Sequence, residues 1–304
     1  MTSWPWKTKV NPYANAVRQR CAEWCSSFPM MAKAYKKLDP NQLLVVSLFS
    51  LVIVLVDDST DVEDAAAAQQ TATLVRDALQ HPHQARPFGE APIGEIVRRF
   101  WQLAIQTTHV DVQSAFLTHF DAFLESVVAQ AGFRDHDSQL SIDAYLTIRR
   151  DTVGVMPFFP FLRPSADDRA TENVWNSPII AELTGYIVDM YIYDNDTISY
   201  AREHALGDIG HNIITLLMRD LNIDLGSAVS WAVMQHAVAQ RAFIEGIARL
   251  PSWDADVDRQ VRDYLDGLGH WAKAYHTWAF EVERYFGDRG KEVKATGLVR
   301  LRRS

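Results

Sequence analysis

Apolar side chains recur along most of this chain at intervals of three and four, the spacing that lines one face of an α-helix. The first such run extends from about Pro40 to Val56 and ends in Asp57-Asp58-Ser59-Thr60-Asp61. Thr60 and Glu63 then have the spacing of a capping box, which predicts a second helix through Ala68 and Leu74. After a proline-containing loop from His81-Pro82-His83 to Pro92, the side chains of Ile93, Val97, Phe100, Trp101, Ala104 and Ile105 share one helical face. A further helix spans roughly Val112 to Ala131. Ile142 to Arg150 reads as a short helix, because Gly154 and the series Pro157, Pro160, Pro164 cannot continue it. Arg149 and Arg150 thus lie beside a break. A long apolar helix from about Ile179 through Met218, another from Ser227 to Leu250 stopped by Pro251, and a final pair around Gly267 complete the pattern.

With 304 residues, 48% of them hydrophobic, the chain can bury one large core or two small ones. Only 14 Gly and 12 Pro interrupt the helical spacing, so the expected fold class is all-α. A net charge of -8 gives no basic footprint for nucleic acid. The most apolar run, Leu43 to Val56, is about fourteen residues, short of the roughly 20 a membrane span needs, and is expected as a buried helix. The first twenty residues lack the apolar core of a secretory signal, which predicts a cytoplasmic protein. Cys21 and Cys25, one helical turn apart, are expected as free thiols in a reducing compartment.

Two groups of oxygen donors carry the candidate chemistry. Asp57 and Asp61 stand four apart, so on a helix both carboxylates leave one face, with Asp58 beside them. Mg²⁺ takes such hard donors and keeps water and substrate phosphate in its shell. Acidic residues also gather in the first turn of helices, where they complement the dipole, and that ordinary explanation stands beside the metal one. The second group is Asn195, Ser199 and Glu203. Each step of four rotates only about 40°, so an amide oxygen, a hydroxyl and a carboxylate form a ladder along one helix face. Arg149, Arg202 and the pair Arg284-Tyr285 add guanidinium forks suited to phosphate oxygens, although single arginines more often serve in surface ion pairs.

Trp271, Tyr275, Trp278, Val282 and Tyr285 are spaced as one stripe on a helix, either a core seam or an aromatic wall tolerant of positive charge. Motifs for zinc proteases, serine hydrolases, redox dithiols and ferritin-like di-iron sites are absent. Gly267-Leu268-Gly269-His270-Trp271-Ala272 has the form G-x-G-x-x-A but follows a helical pattern rather than a strand, which argues against a dinucleotide site.

Taken together these residues resemble the fungal class I sesquiterpene synthases, in particular the basidiomycete Δ6-protoilludene synthase group. The likeness covers most of the chain. Beyond the two oxygen-rich motifs it includes Asn11-Pro12-Tyr13, Ile148-Arg149-Arg150-Asp151-Thr152-Val153-Gly154, Gly207-Asp208 with His211-Asn212, Leu250-Pro251-Ser252-Trp253, and Trp278-Ala279-Phe280 leading to Arg284-Tyr285-Phe286-Gly287. Val54 and Val56 stand where similar enzymes carry aromatic residues.

The resemblance implies one synthase domain over 1–304, a helical bundle with a central cavity, and ionisation of farnesyl diphosphate followed by cyclisation through a 1,11-closed humulyl cation. It implies three Mg²⁺ ions, with Mn²⁺ as a substitute: Asp57, with Asp58 or Asp61, would hold two, and Asn195, Ser199 and Glu203 the third. Arg149 would sense the diphosphate with Thr152 and the Val153 carbonyl, while Arg202, Arg284 and Tyr285 would bind the leaving group. The partner is then a small prenyl diphosphate, and the enzyme a monomer or homodimer. Chain-elongating prenyl transferases share the scaffold but carry two Asp-rich motifs, so the Asn-Ser-Glu ladder favours cyclisation. A silent diphosphate-binding homologue is the third reading.

Overall fold

The computed structural model describes residues 5–6, 19, 44–136, 139–163, 170–207, 210–299 and 301. Asn11-Pro12-Tyr13, Cys21, Cys25, Pro40, Leu43, Pro164 and Asp208 lie outside the described residues. Among the described residues there are helices and no strands, as expected for an all-α chain. Two compact units divide it: Val10–Ser138 with Gly154–Phe161, and Met1–Lys9 with Gln139–Val153 and Leu162–Ser304.

In the first unit, α1 (Leu44–Thr60) packs against α2 (Ala65–Gln80), α3 (Pro92–Thr107) and α4 (Val110–Asp135). Leu48, Phe49, Val52 and Val56 of α1 are fully buried. Phe49 is the hub, its ring centroid lying 4.9 Å from Phe116, 5.2 Å from Phe120, 5.5 Å from Phe100 and 4.5 Å from Phe158. Edge and tilted contacts of this kind add to the area buried. Phe158 comes from the 3₁₀ turn Met156–Leu162 that follows the break.

The start of α2 differs from the capping box expected at Thr60. The Thr60 hydroxyl donates back to Val56 O at 3.0 Å, so α1 continues through Asp57 and Asp58. Asp64 takes over as the cap, accepting from Ala67 N–H at 2.8 Å, and Glu63 instead accepts from Thr71.

The second unit holds α5 (Ile142–Thr152), α6 (Glu172–Trp175), α7 (Pro178–Leu206), α8 (Ile213–Asp220), α9 (Leu225–Ile247), α10 (Ala255–Trp278), α11 (Glu283–Phe286) and α12 (Gly290–Thr296). Helix α7 is the axis, contacted by α5, α6, α8, α9, α10 and α11. Its apolar residues bury Tyr193 and Tyr200 among Ile213, Ile214, Leu216, Leu217, Ala228 and Ala232.

Three expectations are corrected here. The helix read from Ile179 to Met218 is two helices, because Gly207 adopts φ 78°, a left-handed cap that ends α7, and Asn212 opens α8 by accepting from Ile214 N–H. The pair expected around Gly267 is one helix, α10. Glycine weakens a helix interior, but the Trp6 ring packs where a Gly269 side chain would begin, so a larger residue would have to push that ring aside. The aromatic stripe is not one helical face either, since α10 ends at Trp278 and Val282 and Tyr285 lie beyond it.

Candidate metal-binding sites

Asp57 and Asp58 occupy the last turn of α1 and Asp61 the residue after it, and one carboxylate oxygen from each lies within 4.8 Å of the others. This removes the helix-start explanation of the cluster. At the C-terminal end of a helix the dipole is negative, so three carboxylates there are opposed by it rather than favoured, and a cation relieves both. Part of the relief is built in. Arg134 of α4 donates through Nη2 to Thr60 O at 2.5 Å and Glu63 O at 3.1 Å, while Asp135 accepts from Ala65 N–H at 2.8 Å. One end of α4 therefore fastens both sides of the α1–α2 turn.

In the second unit Asn195, Ser199 and Glu203 all fall on α7, as the spacing of four requires. The Ser199 hydroxyl is buried and makes no hydrogen bond of good geometry, although it lies near enough to Glu203 to hold that carboxyl down slightly. A buried hydroxyl without a partner is costly. Beside an amide oxygen and a carboxylate it forms a hard-donor set that fits a divalent cation.

Burial pushes the Glu203 carboxyl up to about 7, and the charge of Asp196 adds to the shift; Ser199, Asn212 and Arg149 pull the other way. Asn212 donates to Glu203 Oε2 and to Asp196 O, both at 2.8 Å.

Arg149 reaches the ladder from the last turn of α5. Its Nη2 donates to Asn195 Oδ1 at 2.6 Å and to Asp196 Oδ1 at 2.9 Å, and its Nε to the same Asp196 oxygen at 3.1 Å. Burial works against the guanidinium's charge, but Asp196 and its neighbours more than offset it and hold Arg149 firmly protonated. Nη1 approaches Thr152 Oγ1 at 3.5 Å, and Val153 closes α5 by donating its N–H to Arg149 O at 2.9 Å.

Asn195 Nδ2 donates to Tyr275 OH at 2.9 Å, and Tyr275 OH lies 3.5 Å from Tyr285 OH. Tyr285 is thus brought to the ladder by a turn after α10 rather than by the helical stripe. The Tyr191 ring packs tilted against Tyr275 with centroids 3.9 Å apart, and Trp278 meets the edge of Tyr285. Arg202 is half-buried on α7 and makes no ion pair or hydrogen bond with any described residue, whereas Arg284 sits beside Tyr285 on α11.

The residue that sequence reasoning missed is Asp196, fully buried between all of these. Tyr145 donates to its Oδ2, as does Ile213 N–H at 3.0 Å. Asp196 stands in the polar run Asp194-Asn195-Asp196-Thr197, where no spacing marks it; its burial does, since a buried charge needs a partner, which Arg149 supplies. Tyr145, itself fully buried, has its hydroxyl pushed well above the usual phenol range by burial and by Asp196.

Comparison with known proteins identifies the family. The family model described as terpene synthase family 2, C-terminal metal binding, matches residues 49–241. Delta(6)-protoilludene synthase 18 of Postia placenta is 39% identical, the match covering 99% of this chain and 90% of that protein. The Delta(6)-protoilludene synthase of Armillaria gallica is 34% identical over 96% of this chain and 89% of its own. Among solved structures, a-eudesmol synthase superposes with a TM-score of 0.77 at 19% identity, covering 92% of this chain and 98% of that one. Among the described residues no helix is long and apolar enough to cross a membrane. The chain belongs to the terpene synthases of family 2, enzymes of the carbon–oxygen lyase class with a divalent-metal-binding domain.

Proposed function

We propose that this chain, acting over 1–304 as one synthase domain, is a Mg²⁺-dependent sesquiterpene synthase that ionises farnesyl diphosphate and cyclises the cation, by 1,11-closure, toward a protoilludene-type product. The observation that carries the reading is the ladder on α7, with a buried, unpartnered Ser199 hydroxyl between two oxygen donors and Arg149 held against it. Mg²⁺, three ions in the full complex and replaceable by Mn²⁺, supplies Lewis-acid stabilisation of the departing diphosphate. Asp57, with Asp58 or Asp61, would hold two of the ions, and Asn195, Ser199 and Glu203 the third.

The chain's own residues do the rest. Arg149, Arg202, Arg284 and Tyr285 donate to diphosphate oxygens, where charge develops as the allylic carbon–oxygen bond breaks. Thr152, within reach of Arg149, and the Val153 carbonyl carry movement of the guanidinium into the end of α5. Tyr191, Tyr275 and Trp278 offer ring faces that attract positive charge without attacking it. The similarity to Delta(6)-protoilludene synthases supports the sesquiterpene assignment.

Incubation with farnesyl diphosphate and Mg²⁺, followed by gas chromatography, tests the reading. A cyclic hydrocarbon from the parent, lost in Asn195→Ala and Asp57→Ala with helical circular dichroism intact, is expected. Unchanged yield in either variant refutes the metal assignment. A longer prenyl diphosphate as product would mean a chain-elongating transferase, and diphosphate binding without product a silent homologue.

A further inference from the structure

We infer that Arg149 and the divalent ion compete for one atom, the amide oxygen of Asn195, so that cation binding at the ladder releases the guanidinium for the diphosphate. This rests on the reading of Asn195 as an ion ligand. The amide orientation follows from its neighbours. Arginine can only donate, so the atom 2.6 Å from Arg149 Nη2 is the oxygen, and the nitrogen faces Tyr275 OH at 2.9 Å. That oxygen is the only atom of an asparagine side chain that ligates a hard cation. A positive group, the Arg149 guanidinium, already occupies it.

A guanidinium nitrogen and a divalent ion on the same oxygen would sit a few ångströms apart with like charge, in a half-buried site where screening is weak. The ion therefore has to displace Nη2. Asp196 determines how far the guanidinium goes. Its Oδ1 still accepts from Nε at 3.1 Å and from Nη2 at 2.9 Å, while its Oδ2 is fixed by Tyr145 and by Ile213 N–H at the start of α8. Arg149 is thus tethered to Asp196 through Nε and one N–H of Nη2, and the other Nη2 N–H, given up by Asn195, is free to donate. The Asn195 amide keeps its orientation through Tyr275, so the oxygen remains presented to the ion. The result is an order of events: cation first, then an arginine made available to the anion.

The test is Mn²⁺ binding without diphosphate, followed by calorimetry and electron paramagnetic resonance on the full chain. The ladder's share is the binding that Asn195→Ala removes. Arg149→Lys keeps the charge but loses the fork that spans Asp196 and Asn195, and should bind Mn²⁺ at the ladder about tenfold more tightly than the parent, the scale of one lost charge-assisted competitor. Arg149→Gln should gain at least as much. A gain confined to Arg149→Gln would trace to net charge and overturn the competition, as would equal affinity in parent and Arg149→Lys. If the parent shows no binding that Asn195→Ala removes, the ladder is not an ion site, and both this inference and the functional reading fall. A second readout needs no variant: the Arg149 Nε–H resonance of the parent should shift on Mg²⁺ alone, and a resonance unchanged at saturation would overturn the proposal.

Discussion

Replacing Asp196 by asparagine keeps the shape of the side chain and removes its charge, at a position with no exposed surface. The carboxylate accepts from four donors: Arg149 Nε and Nη2, the Tyr145 hydroxyl and Ile213 N–H. An amide offers one oxygen, so its NH₂ must face donors that it cannot satisfy, either the guanidinium or the Tyr145 and Ile213 pair. Summing four charge-assisted bonds would overstate the loss, since part of each is regained in water when the chain unfolds. Removing one partner of a buried ion pair costs about 3–5 kcal/mol. The lower end applies, because the Arg149 side chain retains 12% of its exposure and can recover some solvation.

A loss of about 3 kcal/mol corresponds to a drop in Tm of roughly 5 °C for a chain of this size. Thermal denaturation followed by circular dichroism, without metal, reads it directly. The pairwise share comes from a cycle with Arg149→Met: the double variant should be less destabilised than the sum of the singles by at least about 1 kcal/mol, because neither charge is then stranded. A Tm within 2 °C of the parent for Asp196→Asn, or additive singles, would refute the account of Asp196 as the buried counter-charge on which the site is assembled.

Arg134→Ala should cost about 1–2 kcal/mol by releasing the carbonyls of Thr60 and Glu63, and should weaken Mn²⁺ binding at Asp57, Asp58 and Asp61. Unaltered Mn²⁺ affinity would show that the turn holds itself. Glu203, raised to about 7 from 4.5 by burial and then by Asp196, makes the ladder's cation affinity fall about tenfold per pH unit below about 7 and level off above it. The sign for stability without metal is opposite: the contribution of Glu203 is fully present below about 4.5 and lost as pH rises through about 7. Both trends should vanish in Glu203→Gln, and a parent whose metal affinity is flat from pH 5.5 to 7.5 would contradict the shift. Phe49→Ala removes the hub of the aromatic cluster and should cost about 3–5 kcal/mol, measured by urea unfolding; a loss under about 1 kcal/mol would mean that the neighbouring rings collapse into the space.

What sequence made legible is what short-range periodicity encodes. The spacing of Asn195, Ser199 and Glu203 needs nothing but 3.6 residues per turn, and it holds on α7. The ends of helices were misread where two local devices competed for one residue. Thr60 could cap α2 or bond back to Val56, and only packing at the end of α4, through Arg134 and Asp135, decides between them. Gly207 and Asn212 were stop and start signals overridden in the reading by a continuous apolar pattern, because periodicity does not register a break that preserves the buried face. Asp196 was illegible for a different reason. Its partners come from residues 145, 149 and 213, so its role is a property of three helices and not of any window along the chain. The same long-range placement turns Asn195 from a motif residue into an oxygen already engaged by the Arg149 guanidinium, a contact across 46 residues that no spacing rule encodes.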